Sequence, residues 1–222
     1  MHKIEIACFN LESALVAVKA GADRIELCDD YFSGGVTPRE EIIIQALEKI
    51  SIPLFIMIRP RGGNFVYSES EFRLMKSQII LCKEKKIDGI VFGVLDKKNY
   101  VDKAKCKELI DLAKPMSATF HRAFDETEDS FQSLEDVIEC GFARILTSGK
   151  QPVAIDGAAV ISEFIKKSGD RIIIMPGGGV RGENISELLK TKATEFHSSA
   201  INKTTSDIDE DEIRKMKRML SK

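Results

Sequence analysis

Along the chain, short runs of apolar and β-branched residues alternate with longer segments whose apolar positions recur every three or four residues. The short runs read as strands at Lys3–Ala7, Arg24–Leu27, Leu54–Ile58, Gly89–Val94, Ser117–Phe120, Arg144–Leu146, Arg171–Met175 and Glu195–His197. A helical pattern follows each one. Asn10 is placed to cap the first helix, whose stripe is Leu11, Ala14, Leu15 and Val18, and Gly21 to end it. Thr37-Pro38-Arg39-Glu40 predicts a capping box with proline at the first helical position, and Ser68 with Glu71 predicts a second box. Further helices are predicted at about 102–113, 130–140, 156–167 and 183–190, with a last one from Asp209.

Eight consecutive strand–helix units, without a composition shift or a Pro/Ser-rich linker, predict an α/β protein: a single-domain (β/α)8 TIM barrel. The alternative, a doubly wound open sheet, places a Gly-x-Gly-x-x-Gly turn after its first strand, and this chain has none there.

Alternation along the strands assigns faces. Ile25 and Leu27 are the apolar pair of the second strand, so Glu26 and Cys28 point inward. By the same parity Glu5, Ala7, Met57, Arg59, Thr119, His121, Glu195 and His197 point inward, and Cys8 points outward. Such an interior is unusually polar for a barrel, and its charges must pair. Glu5, Arg24, Arg144 and Glu195 lie toward strand beginnings and read as structural ion pairs. Glu26, Cys28, Arg59, His121 and His197 lie at strand ends, the face where barrel enzymes place their chemistry.

Composition narrows the partners. The 222 residues carry a formal net charge of −2 with 43% hydrophobic and 31% charged residues, which implies no bulk attraction to nucleic acid or to an anionic membrane. No apolar run reaches the ~18 residues of a membrane span, and the first residues lack a basic-then-apolar signal pattern. A cytoplasmic location is the expectation. Five cysteines without framework spacing argue for reduced thiols, with Cys82, Cys106 and Cys140 as small helix-borne core residues.

Four constellations could carry chemistry. Pro176-Gly177-Gly178-Gly179, with Ser198 and Ser199 after the last strand, makes an anion cradle in the two loops where barrels often hold phosphate. Arg59, Arg61, His121, Arg122, Lys150 and Arg181, with Ser148 nearby, form a ring of donors that suits a small anionic ligand. Arg122 can also pair with Asp125 along the rim. Glu26, His121 and His197 are the acid–base candidates. Cys28 with the inward Met57 offers soft donors to Cu(I), and Cys8 is a weaker metal candidate because it faces the other way.

Taken together, 21-GADRIELC-28, 34-GGVTP-38, 58-IRPRGGNFVYS-68, 93-GVLD-96, 119-TFHRAFD-125, 144-RILTSG-149, 175-MPGGGV-180 and 195-EFHSSA-200 resemble the CutC family, known as copper homeostasis proteins. The resemblance implies a cytoplasmic (β/α)8 barrel, a homodimer, and copper binding as Cu(I). Two departures stand out. Family members often carry cysteine at the position of Ala7, so the inward partner expected for Cys28 is missing. The family also has a longer segment after the Ser198-Ser199 pair, which could close over the mouth. Two classes of function therefore stay open: a copper-binding protein, and a barrel enzyme or binder for a phosphorylated or carboxylated metabolite.

Overall fold

The computed structural model describes residues 2–202, 205 and 207–221. Eight strands alternate with eight helices: β1 Lys3–Cys8, α1 Leu11–Ala20, β2 Arg24–Leu27, α2 Glu40–Lys49, β3 Leu54–Met57, α3 Glu69–Glu84, β4 Gly89–Phe92 and α4 Lys103–Ala113 form the first half. The second half is β5 Ser117–Phe120, α5 Ser130–Cys140, β6 Arg144–Thr147, α6 Ala158–Ser168, β7 Ile173–Pro176, α7 Ile185–Leu189, β8 Glu195–Ser198 and α8 Glu210–Leu220. All ladders are parallel, in the order β7-β6-β5-β4-β3-β2-β1-β8. β7 and β8 lie side by side and complete the circuit without a ladder, so the (β/α)8 barrel is nearly closed.

The alternation sorts the side chains into two separate cores. Ile4, Ile6, Cys8, Ile25 and Leu27 face outward and join the helices in one large apolar layer. Inside the barrel the apolar cluster is small: Cys28, Phe55, Met57 and Val91, with Phe9 against them. The remaining interior is polar, with Glu5, Arg24, Glu26, Arg59, Thr119, His121, Glu195 and His197 all buried.

Register explains how those charges survive burial. Glu5 on β1 stands opposite Arg24 on β2 and opposite His197 on β8. Its Oε2 accepts from Arg24 Nε at 2.5 Å, and its Oε1 lies 2.6 Å from His197 Nδ1. Arg24 Nη2 then donates to Glu195 Oε2 at 2.7 Å, the same oxygen that accepts from Arg144 Nε, and Arg144 Nη1 donates to Ser117 Oγ. Both guanidinium groups also lie over the Phe55 ring, at 4.8 and 5.3 Å. A chain of charge-assisted bonds thus runs from Ser117 up the barrel to His197, as paired burial requires.

Helix starts hold where a side chain is free to cap. Asn10 accepts from Ser13 N–H, the Ser68–Glu71 box is formed, and Asp209 accepts from Glu212 N–H. The box expected at Thr37 is absent: α2 begins at Glu40 behind an uncapped Arg39. The Thr37 hydroxyl is taken instead, accepting from Arg59 N–H at 2.8 Å and donating to Gln78 Oε1. The sixth helix starts at Ala158 rather than Asp156, and the seventh shrinks to Ile185–Leu189. β7 starts at Ile173 rather than Arg171, because Gly169–Arg171 form a 3-10 turn and Arg171 pairs with Glu135. Of the short segment after Ala200, residues 203, 204 and 206 lie outside the described residues.

Candidate functional site

At the C-terminal ends of the strands lies a cavity of about 190 Å³, bounded by Glu26, Cys28, Met57, His121, Arg122 and His197 among others. It is smaller than the ~300–1,000 Å³ of a drug-sized site and suits a compact ligand. Phe9, Met57, Phe65 and Leu146 give it apolar walls.

The reactive floor is Glu26 with His197. Glu5 fixes the imidazole: its carboxylate accepts a hydrogen bond from Nδ1–H, which leaves Nε2 facing Glu26 Oε2 at 3.9 Å. Burial pushes the Glu5 carboxyl up, but the Arg24 charge and the His197 hydrogen bond outweigh it and hold Glu5 at about 2. Burial raises Glu26 to about 7; His197 pulls it down and the Glu5 charge adds to the rise. His197 is moved above its ordinary value: burial alone would lower it, and Glu26 and Glu5 overcome that. An ionised carboxylate, an oriented imidazole and a carboxyl poised near neutrality make an acid–base pair. The oxygens and nitrogens of Glu5, Glu26 and His197 lie within 4.8 Å of one another. Glu5 already spends Oε1 on His197 Nδ1 and Oε2 on Arg24 Nε, so the trio reads as an ion-pair network rather than an open metal cage.

His121 sits across the cavity with different chemistry. Its Nδ1 accepts from Ala123 N–H at 3.2 Å, so the proton is on Nε2. Burial first, and the Arg59 charge second, push it down to about 3, which keeps the ring neutral. Phe65 packs 4.7 Å from it, and a Cβ at residue 93 would fall 2.8 Å from its Nδ1, so Gly93 is what admits the ring.

The ring of cations is broken up. Arg59 is at the cavity, but Nη1 donates to Ser33 O and Gly35 O and Nη2 to Gly63 O, so it ties loops together. Arg61 is not among the residues that line the cavity: it pairs with Glu71, donates to Asn64 and Val66, and lies over Tyr67. Lys150 bonds to Thr127 O, and Arg181 donates to Ser198 Oγ and Ile201 O. Two of these cations keep a spare donor: Arg59, whose Nε is buried without a partner, and Arg122. Arg122 Nε pairs with Asp125 at 2.8 Å and its Nη2 with Ser148 Oγ, while Nη1 has no hydrogen-bond partner among the described residues. Ser148 is thereby part of a scaffold around Asp125, which also takes Thr147 Oγ1 at 2.5 Å.

The cradle is displaced by one residue from its expected place. Gly178, Gly179 and Ser199 line the cavity. Gly177 lies behind, against Leu146 and His197, and the Ser198 hydroxyl is spent on Val180 O. The amides of Gly178, Gly179 and Ser199 have no partner among the described residues. Gly178 adopts φ +97°, and a Cβ there would come within 3.1 Å of Arg122 Nη1, so only glycine brings amide and guanidinium together.

Soft donors are few. The Cys28 thiol donates to Glu26 Oε2 at 3.4 Å, and burial, reinforced by the Glu26 charge, pushes it well above its ordinary value. Met57 is its neighbour, whereas Cys8 belongs to the outer core and points its thiol at Ile6 O. One protonated thiol and one thioether do not fit a Cu(I) dithiolate.

Comparison with known proteins places these features. The CutC family model matches residues 2–202. The human copper homeostasis protein cutC homolog is 42% identical over 198 residues, covering 89% of this chain and 72% of the relative. A family protein CutC of Parabacteroides distasonis is 47% identical over 199 residues, covering 89% and 82%. The crystal structure of a CutC from Streptococcus agalactiae superposes with a TM-score of 0.84 at 33% identity, covering 90% of this chain and 99% of that one. No helix among the described residues is long and apolar enough to cross a membrane. The chain belongs to the CutC family.

Proposed function

We propose that the barrel mouth is an acid–base site for a small anionic metabolite, and that Glu26 and His197 move the proton. The observation that carries this is the buried line Glu5–His197–Glu26: an imidazole oriented by an ionised carboxylate and turned toward a second carboxyl at 3.9 Å. Arg122 Nη1 and the free amides of Gly178, Gly179 and Ser199 hold the anion, phosphate or carboxylate. A cytoplasmic location goes with this proposal, as the compartment that would supply a soluble anionic metabolite.

Thermal unfolding with inorganic phosphate tests the anion site. A ligand bound at a hundred times its Kd adds about 2.7 kcal/mol, and a chain of this size gains about 2–4 °C per kcal/mol. Wild type is expected to gain several degrees, and Arg122→Met to keep only the small rise that phosphate gives any protein by exclusion. Equal shifts in both would overturn the reading.

Copper enters as the second reading, favoured by Cys28 and Met57 packing together at the cavity. Because the set lacks a second thiolate, the expected result of a Cu(I) titration against a competing chelator is the same weak binding in wild type and Cys28→Ala. Tight binding that disappears in Cys28→Ala would establish the copper reading instead.

A further inference from the structure

Besides Arg59 Nε, two polar side-chain atoms of residues that line the cavity are buried and have no hydrogen-bond partner: His121 Nε2 and Glu26 Oε1. The residues are 4% and 2% exposed. Leaving a buried donor or acceptor unmade costs about 1–3 kcal/mol, so native structures seldom do so without a reason. The tautomer of His121 makes its orphan a donor, and the thiol of Cys28 on Glu26 Oε2 leaves Oε1 as the free oxygen of that carboxyl.

We infer that the ligand is a hydroxy-aldehyde or hydroxy-ketone bearing the anionic group, with its carbonyl oxygen on His121 Nε2–H and the neighbouring carbinol carbon beside Glu26 Oε1. This rests on the anion-site reading above and adds the reacting end of the molecule. The matching reaction is a proton shift between adjacent carbons. Glu26 as carboxylate removes the hydrogen of the carbinol carbon as a proton. The C–H electron pair becomes the C=C bond of an enediolate, and the negative charge moves to the former carbonyl oxygen, where His121 Nε2–H stabilises it. Glu26 then returns the proton to the former carbonyl carbon. His197 Nε2 carries the hydroxyl proton from one oxygen to the other. The product is the isomer with carbonyl and hydroxyl exchanged, and no oxidant or reductant is consumed. Neutrality suits His121 for this part, since a neutral imidazole can polarise a carbonyl without giving up its proton. The walls of Phe9, Met57, Phe65 and Leu146 limit water at the enediolate.

Incubation in D2O with dihydroxyacetone phosphate, erythrose 4-phosphate and ribose 5-phosphate, followed by NMR, tests the inference. Deuterium is expected at the carbon next to the carbonyl in at least one of the three. His121→Phe, which keeps a ring without the donor, is expected to slow exchange at least a hundredfold, by analogy with removal of one oxyanion donor. His121→Gln, which keeps an N–H donor, is expected to retain part of the rate and serves as well where the phenylalanine variant does not fold. Phosphate stabilisation through Arg122 without deuterium uptake from any of the three compounds would overturn the inference and leave the anion site standing. Exchange that His121→Phe leaves unchanged would remove His121 from the reaction. Absence of both phosphate stabilisation and exchange would overturn both readings.

Discussion

Glu5→Gln is expected to destabilise the barrel by about 3–5 kcal/mol, the usual cost of removing one partner from a buried ion pair. Glu5 serves two donors at once: Arg24 Nε at 2.5 Å and His197 Nδ1 at 2.6 Å. A glutamine offers one oxygen in place of two and turns an N–H toward a group that is itself a donor. Arg24 and Arg144 would then share the single carboxylate of Glu195, inside a barrel where neither guanidinium can reach water easily. Urea unfolding at pH 7 measures the loss, and a change below about 1 kcal/mol would show that the network does not hold the interior together. The double replacement Glu5→Leu with Arg24→Met should recover much of the loss, since removing both partners avoids the stranded charge. It should not recover proton transfer, because His197 would still lack the carboxylate that orients it.

Stability and chemistry are therefore linked through the same residues. In most barrels the strand beginnings are filled with branched aliphatics and the site is added above them. Here the ion-pair column that replaces those aliphatics ends at His197, the imidazole of the proposed site. The column holds Glu5 ionised, Glu5 sets the tautomer of His197, and His197 with Glu5 sets where Glu26 titrates. A change at Arg24 is accordingly expected at the cavity as well as in the unfolding curve.

How much of this could be read beforehand depended on distance from a strand. Glu5, Glu26, Cys28 and His197 lie within strands or one residue beyond, where period two fixes the face, and they face inward as alternation requires. Arg61, Lys150 and Arg181 lie past the strand ends, where parity no longer applies. Their directions are set by partners that no spacing reveals: Glu71 for Arg61, Thr127 O for Lys150, and Ser198 for Arg181. Arg59 is inward by parity, yet its Nη donors serve backbone carbonyls, a use invisible without coordinates. Thr37 carries the signature of a helix cap and lost that role to a long-range bond with Arg59 N–H. Ser199 and Gly179, rather than Ser198 and Gly177, reach the cavity because the backbone turns with positive φ at Gly178 and Gly179. The inward facing of Glu26 at a strand end was legible by position, but its value near neutrality needed the burial and the Glu5 charge that only the packed barrel supplies.

The second large effect lies in the pH dependence of stability. Burial pushes Glu26 up to about 7 in the folded protein, against an ordinary value of 4.5. Between those values the native state holds a proton that the unfolded chain releases, so stability falls as pH rises through this window and levels off above it. The shift corresponds to about 3 kcal/mol at 1.36 kcal/mol per unit. His197 acts in the same direction: its raised value contributes stability that is fully present below its unfolded value and lost as pH rises through the folded one. Glu5 is silent here, because a carboxylate held at about 2 loses its contribution only in strong acid. Glu26→Gln removes the rising carboxylate charge and keeps an oxygen for the Cys28 thiol. Its unfolding free energy relative to wild type is expected to grow in its favour by about 2–3 kcal/mol between pH 5 and pH 8. Urea midpoints at pH 5, 6, 7 and 8 give the comparison. Parallel profiles for the two proteins would mean that Glu26 ionises as an ordinary surface carboxylate does, and the acid–base site would lose its base.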